Sequence, residues 1–300
     1  GTLKNYKGTI EFDKGCVLVG YGEIVSQKAV LDAAYALSDG ASMPNATALE
    51  GEIITIDTAW SEEYKNITVT IVCDGKTEQP IMCYRLKGEG AETLAVGDKI
   101  AVWGTIKNYK GTIEFDAGCQ LIPYGSAAQV RTLLNAYTLE DGLSMDKPAT
   151  LTGVIHNIDT VWSPDYKNIT VSITVAGLAD YPVMCYRLSG EGAETLAVGD
   201  TITVTGNLKN YVKTTDGVTT STIEFDSGCA LNAVDTGEEV DYTPIVEAAY
   251  ALGEGESMEE KSTLKGVITS VDTPYSSGYG NITVTISVAG CEDKPIQCYR

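Results

Sequence analysis

The sequence contains little histidine, few phenylalanines and no long apolar segment. One histidine, and no Cys-x-x-Cys pair among eight cysteines, argue against a zinc site. No uninterrupted run of about 18 apolar residues occurs and no charged-then-apolar leader opens the chain, so we expect no membrane insertion in this segment. Patterns for a serine nucleophile, a phosphate loop or a dinucleotide are also missing. We therefore predict no catalytic residue, no metal and no cofactor.

Positive charge is scarce as well. Forty-one acidic side chains face 21 basic ones, which gives a formal charge of −20. A surface of this sign repels a polyphosphate backbone. We therefore expect no general nucleic-acid binding.

What the sequence does contain is a repeat. Residues 104–116 nearly duplicate residues 1–13, and Cys-Tyr-Arg recurs from Cys83, Cys185 and Cys298. The unit of about a hundred residues is the size of a small domain, so we predict separate barrels in succession rather than one continuous core.

Each repeat combines one helix with several strands. Leu31, Ala34 and Tyr35 have the i, i+3, i+4 spacing of a short helix, which is copied at Leu133 and Val246. A strand over 49–56, a loop over 57–66 and four further strands follow, with a connecting element between the third and fourth. This is the strand order of an OB-fold. The predicted class is mostly β, with tandem five-stranded Greek-key barrels, each preceded by a short helix.

Two motifs extend this prediction to a family. Gly-Asp-x-Ile-x-Val begins at Gly97 and Gly199, and Asn-Ile-Thr-Val precedes Cys-Tyr-Arg. This pattern resembles the OB-like repeats of extracellular surface proteins from Gram-positive anaerobic bacteria. The resemblance implies an extracellular, cell-surface location and a non-enzymatic accessory role.

The repeat boundaries divide the chain into four parts. Residues 1–22 supply strands four and five of a split repeat, 23–123 and 124–234 are whole repeats, and 235–300 supply the helix and first three strands of a split one. Either the chain is a window on a longer repeat protein, or one subunit donates strands to its neighbour. Both explanations leave sheet edges open in a single chain and favour self-association. We expect a structural fibre, with a multivalent array that binds carbohydrate or oligonucleotide as the alternative.

Cysteines recur at matching strand positions. Cys83 and Cys119 correspond to Cys185 and Cys229, and strands three and five of an OB barrel are neighbours. One disulfide in each repeat is a hypothesis, with Cys16 and Cys298 paired across the cut. Buried thiols are the alternative.

Aromatic side chains are the predicted contact residues. Those in the first loop and on the third strand belong to the part of an OB-fold that takes oligonucleotides or oligosaccharides. The alternative is packing against the preceding helix or the next unit. Trp103, which replaces Thr205 of the next repeat, is the candidate inter-subunit contact. The nine candidate rings are Trp60, Tyr64, Tyr84, Trp162, Tyr166, Tyr186, Tyr275, Tyr279 and Tyr299.

Overall fold

The described residues form short helices and curled, mostly antiparallel sheets. The structure, a computed structural model, describes residues 2–12, 25–235, 241–262, 264–276 and 281–299. The α-helices in these ranges are α1 (Gln27–Tyr35), α2 (Ala127–Ala136) and α3 (Thr243–Tyr250), and short 3-10 helices at Ala91–Thr93 and Ala193–Thr195 form the connecting element between strands three and four of the two complete barrels. The strands are β1 (Leu3–Tyr6), β2 (Thr9–Phe12), β3 (Thr47–Ser61), β4 (Asn66–Val72), β5 (Pro80–Leu86), β6 (Lys99–Gly104), β7 (Ile106–Tyr109), β8 (Thr112–Phe115), β9 (Gln120–Ile122), β10 (Ala149–Ser163), β11 (Asn168–Val175), β12 (Val183–Leu188), β13 (Thr201–Gly206), β14 (Leu208–Thr215), β15 (Val218–Phe225), β16 (Ala230–Asp235), β17 (Val267–Ser276), β18 (Asn281–Ser287) and β19 (Ile296–Cys298).

Two seven-stranded sheets have the same strand order. The first is β7-β8-β5-β4-β3-β6-β9, and the second is β14-β15-β12-β11-β10-β13-β16. In the first sheet β5 and β8 are parallel, and the bent strand β6–β7 pairs with β3 through its first half and with β8 through its second. This closes the barrel in the OB order. A Cβ at Gly104, where the strand bends, would lie 3.0 Å from the Cys119 Cβ, so the bend leaves no room for a side chain.

Alternating side chains fill each barrel. In the first barrel Leu49, Val69, Cys83 and Phe115 are fully buried, and α1 adds Leu31 from the predicted stripe. Each large apolar side chain buried in this way contributes about 1.5–3 kcal/mol. The predicted mostly-β class of OB-like barrels, each with a preceding helix, is therefore confirmed.

The third sheet is assembled from both ends of the chain. Its order is β1-β2-β19-β18-β17, and Glu11 and Phe12 of β2 pair in parallel with Gln297 and Cys298 of β19. The N-terminal hairpin is also held by the loop after α3, where the Asn5 backbone N–H donates to the Glu256 carbonyl over 3.1 Å. The chain's own hairpin covers one of the edges that we expected to be open, because β2 pairs with β19. The edge at β17 has no partner strand among the described residues, whereas the equivalent strands β3 and β10 pair with β6 and β13.

The chain divides into two compact units. One comprises residues 1–19 and 238–300, and the other comprises residues 20–237. Within the second unit, α2 packs against both barrels, so that Ala48 and Ala101 of the first barrel join the same buried cluster as Val130 and Leu133. The first two barrels therefore share a core where the sequence predicted separate ones.

One predicted loop is mostly strand. Strand β3 continues to Ser61, and Thr58 pairs with Thr68 although the sequence predicts a loop from residue 57. Three register shifts along β3 and β4 interrupt the alternation of apolar and polar residues that the prediction depended on.

The cysteines predicted to form disulfides in the complete repeats are thiols, which corrects that hypothesis. Cys83 and Cys119, like Cys185 and Cys229, are buried and unlinked. Cys83 lies beside Phe115, whereas Cys119 lies in the turn after β8 and directs its thiol to the Tyr84 carbonyl over 3.6 Å. Cys16 is outside the described residues, so its pairing with Cys298 stays a prediction.

Candidate functional site

The third strand of each complete barrel presents a tyrosine followed by an arginine. Between the pairs Val69–Cys83 and Ile67–Leu86 the ladder shifts register, which forms a bulge at Tyr84 and Arg85. Arg85 adopts a φ of 52°, and its backbone N–H donates to the Thr68 hydroxyl over 3.1 Å. The bulge therefore fixes the position from which the arginine projects.

The guanidinium group lies against the neighbouring ring. The Arg85 guanidinium is 5.1 Å from the Tyr84 ring centroid, and the same distance separates Arg187 from Tyr186 in the second barrel. Arg187 also has a φ of 52° and the same backbone bond to a threonine, Thr170. We call Tyr84 with Arg85, and Tyr186 with Arg187, the Tyr–Arg pairs.

Arginine is concentrated at these positions. The sequence has four arginines, and three of them follow Cys-Tyr. Arg85 and Arg187 are exposed, and neither forms an ion pair with any carboxylate among the described residues. Two cations in an acidic protein are thus free to meet an external anion beside an aromatic face.

A second set of rings, which the sequence analysis did not select as contact residues, lies near the β-hairpin that joins strands four and five. Tyr109 is 51% exposed, with Lys107 and Lys110 at 5.2 and 5.1 Å from its centroid. Lys110 and Gly111 both have positive φ, as a type I′ turn requires. The Lys-Asn-Tyr segment, which recurs in the repeats, could have identified these rings from the sequence. We call Tyr6, Tyr109 and Tyr211 the hairpin tyrosines.

Carboxylates neutralise the lysine at the base of this hairpin. The Lys107 ammonium is 2.6 Å from Asp116 and 3.3 Å from the buried Glu114. The hydrogen bond from Lys107 lowers the pKa of Asp116. Lys209 forms the same bonds in the second barrel, where burial raises the pKa of Glu224. Lys107 and Lys209 therefore contribute less free positive charge than the arginines.

The first-loop aromatics differ in exposure. Trp60 and Trp162 are half-buried against the cores of their own barrels, whereas Tyr64 and Tyr166 are 64% and 81% exposed at the hairpin turns. In each turn a serine side chain accepts a bond from the tyrosine backbone N–H. The tyrosines are the more accessible contact residues.

The remaining predicted residues have different outcomes. Tyr299 is half-buried beyond β19, Tyr275 lies on β17, and Tyr279 is outside the described residues. Trp103 contacts Tyr181 of the second barrel at 5.8 Å between centroids. This contact lies within one chain, and the inter-subunit contact of Trp103 stays a prediction.

Strand order and surface chemistry together define the class: a tandem OB-fold protein with repeated aromatic and cationic side chains on its barrels. No protein-family model and no curated protein sequence matches the chain. Within the described ranges no helix is both long and apolar enough to cross a membrane.

Two solved structures resemble the chain in fold. The crystal structure of fission yeast Pot1 with single-stranded DNA is 10% identical, covers 73% of this chain and 91% of its own, and gives a TM-score of 0.21. A deletion mutant of the single-stranded DNA binding protein from Thermus aquaticus is 15% identical, covers 65% of this chain and 94% of its own, and gives a TM-score of 0.19. Both of these proteins are named with single-stranded DNA, which runs against our expectation of no general nucleic-acid binding; for this chain the likeness shows the fold alone.

Proposed function

We propose that the chain is a non-enzymatic, multivalent binding protein whose barrels take single-stranded nucleic acid. The observation that carries the proposal is the Tyr–Arg pair, which recurs with the same φ, the same backbone bond and the same ring distance in both complete barrels. A conformation that is unfavourable for a residue with a side chain persists where the surrounding structure enforces it, and such positions concentrate at functional sites.

The chemistry of the pair suits a nucleotide. A base stacks on the tyrosine face, and the guanidinium meets a phosphate oxygen with charge-assisted hydrogen bonds. The exposed hairpin tyrosines and the tyrosines of the first loop extend the stacking surface on each barrel. Stacking does not require a particular base, so sequence preference at these rings is weak.

Repetition offsets a weak single site. The net charge of −20 reduces long-range attraction, so affinity depends on short-range contacts and on occupying several barrels at once. Binding should also weaken as salt rises, because the phosphate contacts release counterions.

The test is a fluorescence anisotropy titration of a labelled oligonucleotide of about twenty cytosines. We expect the wild type to bind and the double variant Arg85→Gly/Arg187→Gly to lose about tenfold or more in affinity. Lys28→Ala, at an exposed helix position paired with Asp32, is the matched loss of one cation and should bind normally. Equal binding by the double variant would contradict the proposal, as would a wild type that binds only an acidic polysaccharide such as polygalacturonate.

A structural role is the second candidate, favoured by the shared core of the first two barrels. A fused pair of barrels holds its sites at a fixed separation, as a spacer in a surface protein requires. The extracellular location and the fibre rest on the resemblance of the repeat motifs. Electron microscopy of the native material, together with an assay for nuclease activity that should read zero, tests this candidate.

A further inference from the structure

The second barrel has a groove whose lining differs in sequence from the equivalent place in the first barrel. The groove measures about 550 Å³, within the range of ligand pockets. It lies between the turn that joins β10 to β11 and the segment that follows β12. Its lining residues are Trp162, Pro164, Lys167, Ser189, Gly190 and Glu194.

Two substitutions distinguish this place from its equivalent in the first barrel. Pro164 stands where the first barrel has Glu62, and Ser189 stands where it has Lys87. In the first barrel the Glu62 carboxylate accepts from the Trp60 indole N–H over 3.0 Å and from the Lys65 ammonium over 2.6 Å. Both donors of that repeat are therefore occupied by the protein itself.

In the second barrel the same two donors are released. Proline has no carboxylate, and neither the Trp162 indole N–H nor the Lys167 ammonium has a hydrogen-bond or ion-pair partner in the described part of the chain. The backbone beneath them packs closely, because a Cβ at Gly190 would lie 2.8 Å from the Leu231 carbonyl oxygen. The groove thus combines an indole ring, the two unused donors and one exposed carboxylate.

We infer that this groove is a base-binding subsite that selects a base carrying an amino group, cytosine over thymine. The indole gives a stacking face and Lys167 gives a cation for the adjoining phosphate. The Glu194 carboxylate accepts a hydrogen bond from an exocyclic amine, which thymine lacks. One cation beside one anion leaves the groove neutral, so it suits a base better than a polyphosphate group.

This inference rests on the proposed function and adds a base preference to it. The Tyr–Arg pairs bind either polymer, whereas the groove discriminates. A single experiment therefore separates the two claims: titration of the full chain with a cytosine decamer and a thymine decamer, read by anisotropy at one salt concentration.

We expect the wild type to prefer the cytosine decamer by about fivefold or more. Pro164→Glu restores the carboxylate that occupies the two donors in the first barrel and should remove the preference while leaving thymine binding unchanged. The reciprocal variant Glu62→Pro/Lys87→Ser should release the two donors of the first barrel and increase cytosine affinity further. Glutamate occurs naturally at this turn in the first repeat, and an unchanged melting temperature of Pro164→Glu verifies the fold.

The outcomes are distinct. Equal binding of the two decamers by the wild type, or a preference that survives Pro164→Glu, would contradict the inference that the groove selects cytosine. Either result would leave the proposal for the Tyr–Arg pairs unaffected. Binding of neither decamer would overturn both.

Discussion

The Trp103 ring of the first barrel meets the Tyr181 ring of the second edge-on, at 5.8 Å and 84°. Tyr181 in turn meets Tyr137, the residue that follows α2, at 5.0 Å and 81°. At the equivalent repeat positions Trp103 is replaced by Thr205 and Tyr181 by Lys294. The joint between the first two barrels is therefore built from residues that the repeats do not share.

Replacing Trp103 by threonine, the residue of the next repeat, should destabilise the unit that spans residues 20–237. The change removes a half-buried indole and an aromatic pair, and we expect a loss of about 1–3 kcal/mol. Denaturant unfolding measures it. Tyr124→Ala, at a ring that is 57% exposed, is the control and should change the free energy of unfolding little. An unchanged midpoint for the tryptophan variant would refute the role of the contact.

Replacing Arg131 should lower the free energy of unfolding more than its position on a short helix suggests. Its side chain is 5% exposed and donates to the carbonyls of Val25 and Ala48 over 2.8 and 3.0 Å. Arg131→Met leaves these acceptors without that donor, so we expect a loss of about 1–3 kcal/mol and faster proteolysis between the barrels. A variant as resistant to protease as the wild type would contradict this account.

Two substitutions of Arg85 distinguish the effect of backbone strain on stability from the effect of the lost side chain on binding. At a φ of 52° a β-branched residue is unfavourable and glycine is not. We expect Arg85→Val to be less stable than Arg85→Gly by about 1–2 kcal/mol, and both variants to bind oligonucleotide poorly. Thermal unfolding measures the first expectation and anisotropy the second. Equal stability of the two variants would show that the bulge does not hold the arginine in this conformation.

Because several of its thiols are buried, the protein should lose stability at high pH. Burial raises the pKa of Cys119 and Cys229 to about 12, from 9.0 for an unperturbed thiol. Because these thiols ionise at lower pH in the unfolded chain, their contribution to the free energy of unfolding should be constant below pH 9 and should fall between pH 9 and about 12. Cys119→Ala should reduce that slope in urea titrations repeated across this range. Rapid modification of Cys119 or Cys229 in the native protein by a thiol reagent at pH 8, located by mass spectrometry, would contradict the burial.

The N-terminal hairpin should stabilise only the unit it belongs to. Removing residues 2–12 takes away the partner strand of β19, so we expect the unit with residues 241–299 to unfold early while residues 25–235 keep their melting temperature. A synthetic peptide of the hairpin should restore the lost transition. Persistence of both transitions in the truncated chain would mean that the hairpin is dispensable.

Local patterns predicted the barrels well. Leu31, Leu133 and Val246 are buried on their helices as the stripes required, and the connecting element between strands three and four falls where the OB order needs it. These features depend on neighbours close in sequence, and their repetition reinforced each signal. The extension of β3 to Ser61 was missed because polar residues with register shifts give no alternation.

Long-range features were not predictable in the same way. Arg131 and Ala48 are far apart in the chain, and no local pattern marks a helix that packs on two barrels. The spacing of Cys83 and Cys119 placed them on neighbouring strands but did not predict where each thiol points. The effect of replacing Glu62 by Pro164 was not predicted either, because the two donors that bond to the glutamate come together only in the folded turn.

Photocrosslinking tests the central claim most directly. An oligonucleotide of about twenty residues carrying iodocytosine is irradiated with the full chain, and the modified peptides are identified by mass spectrometry. The account predicts crosslinks on the peptides with Tyr84 and Tyr186, and on Trp162 in the second barrel only. Crosslinks confined to surfaces away from the third strands, or none at all at saturating oligonucleotide, would contradict it.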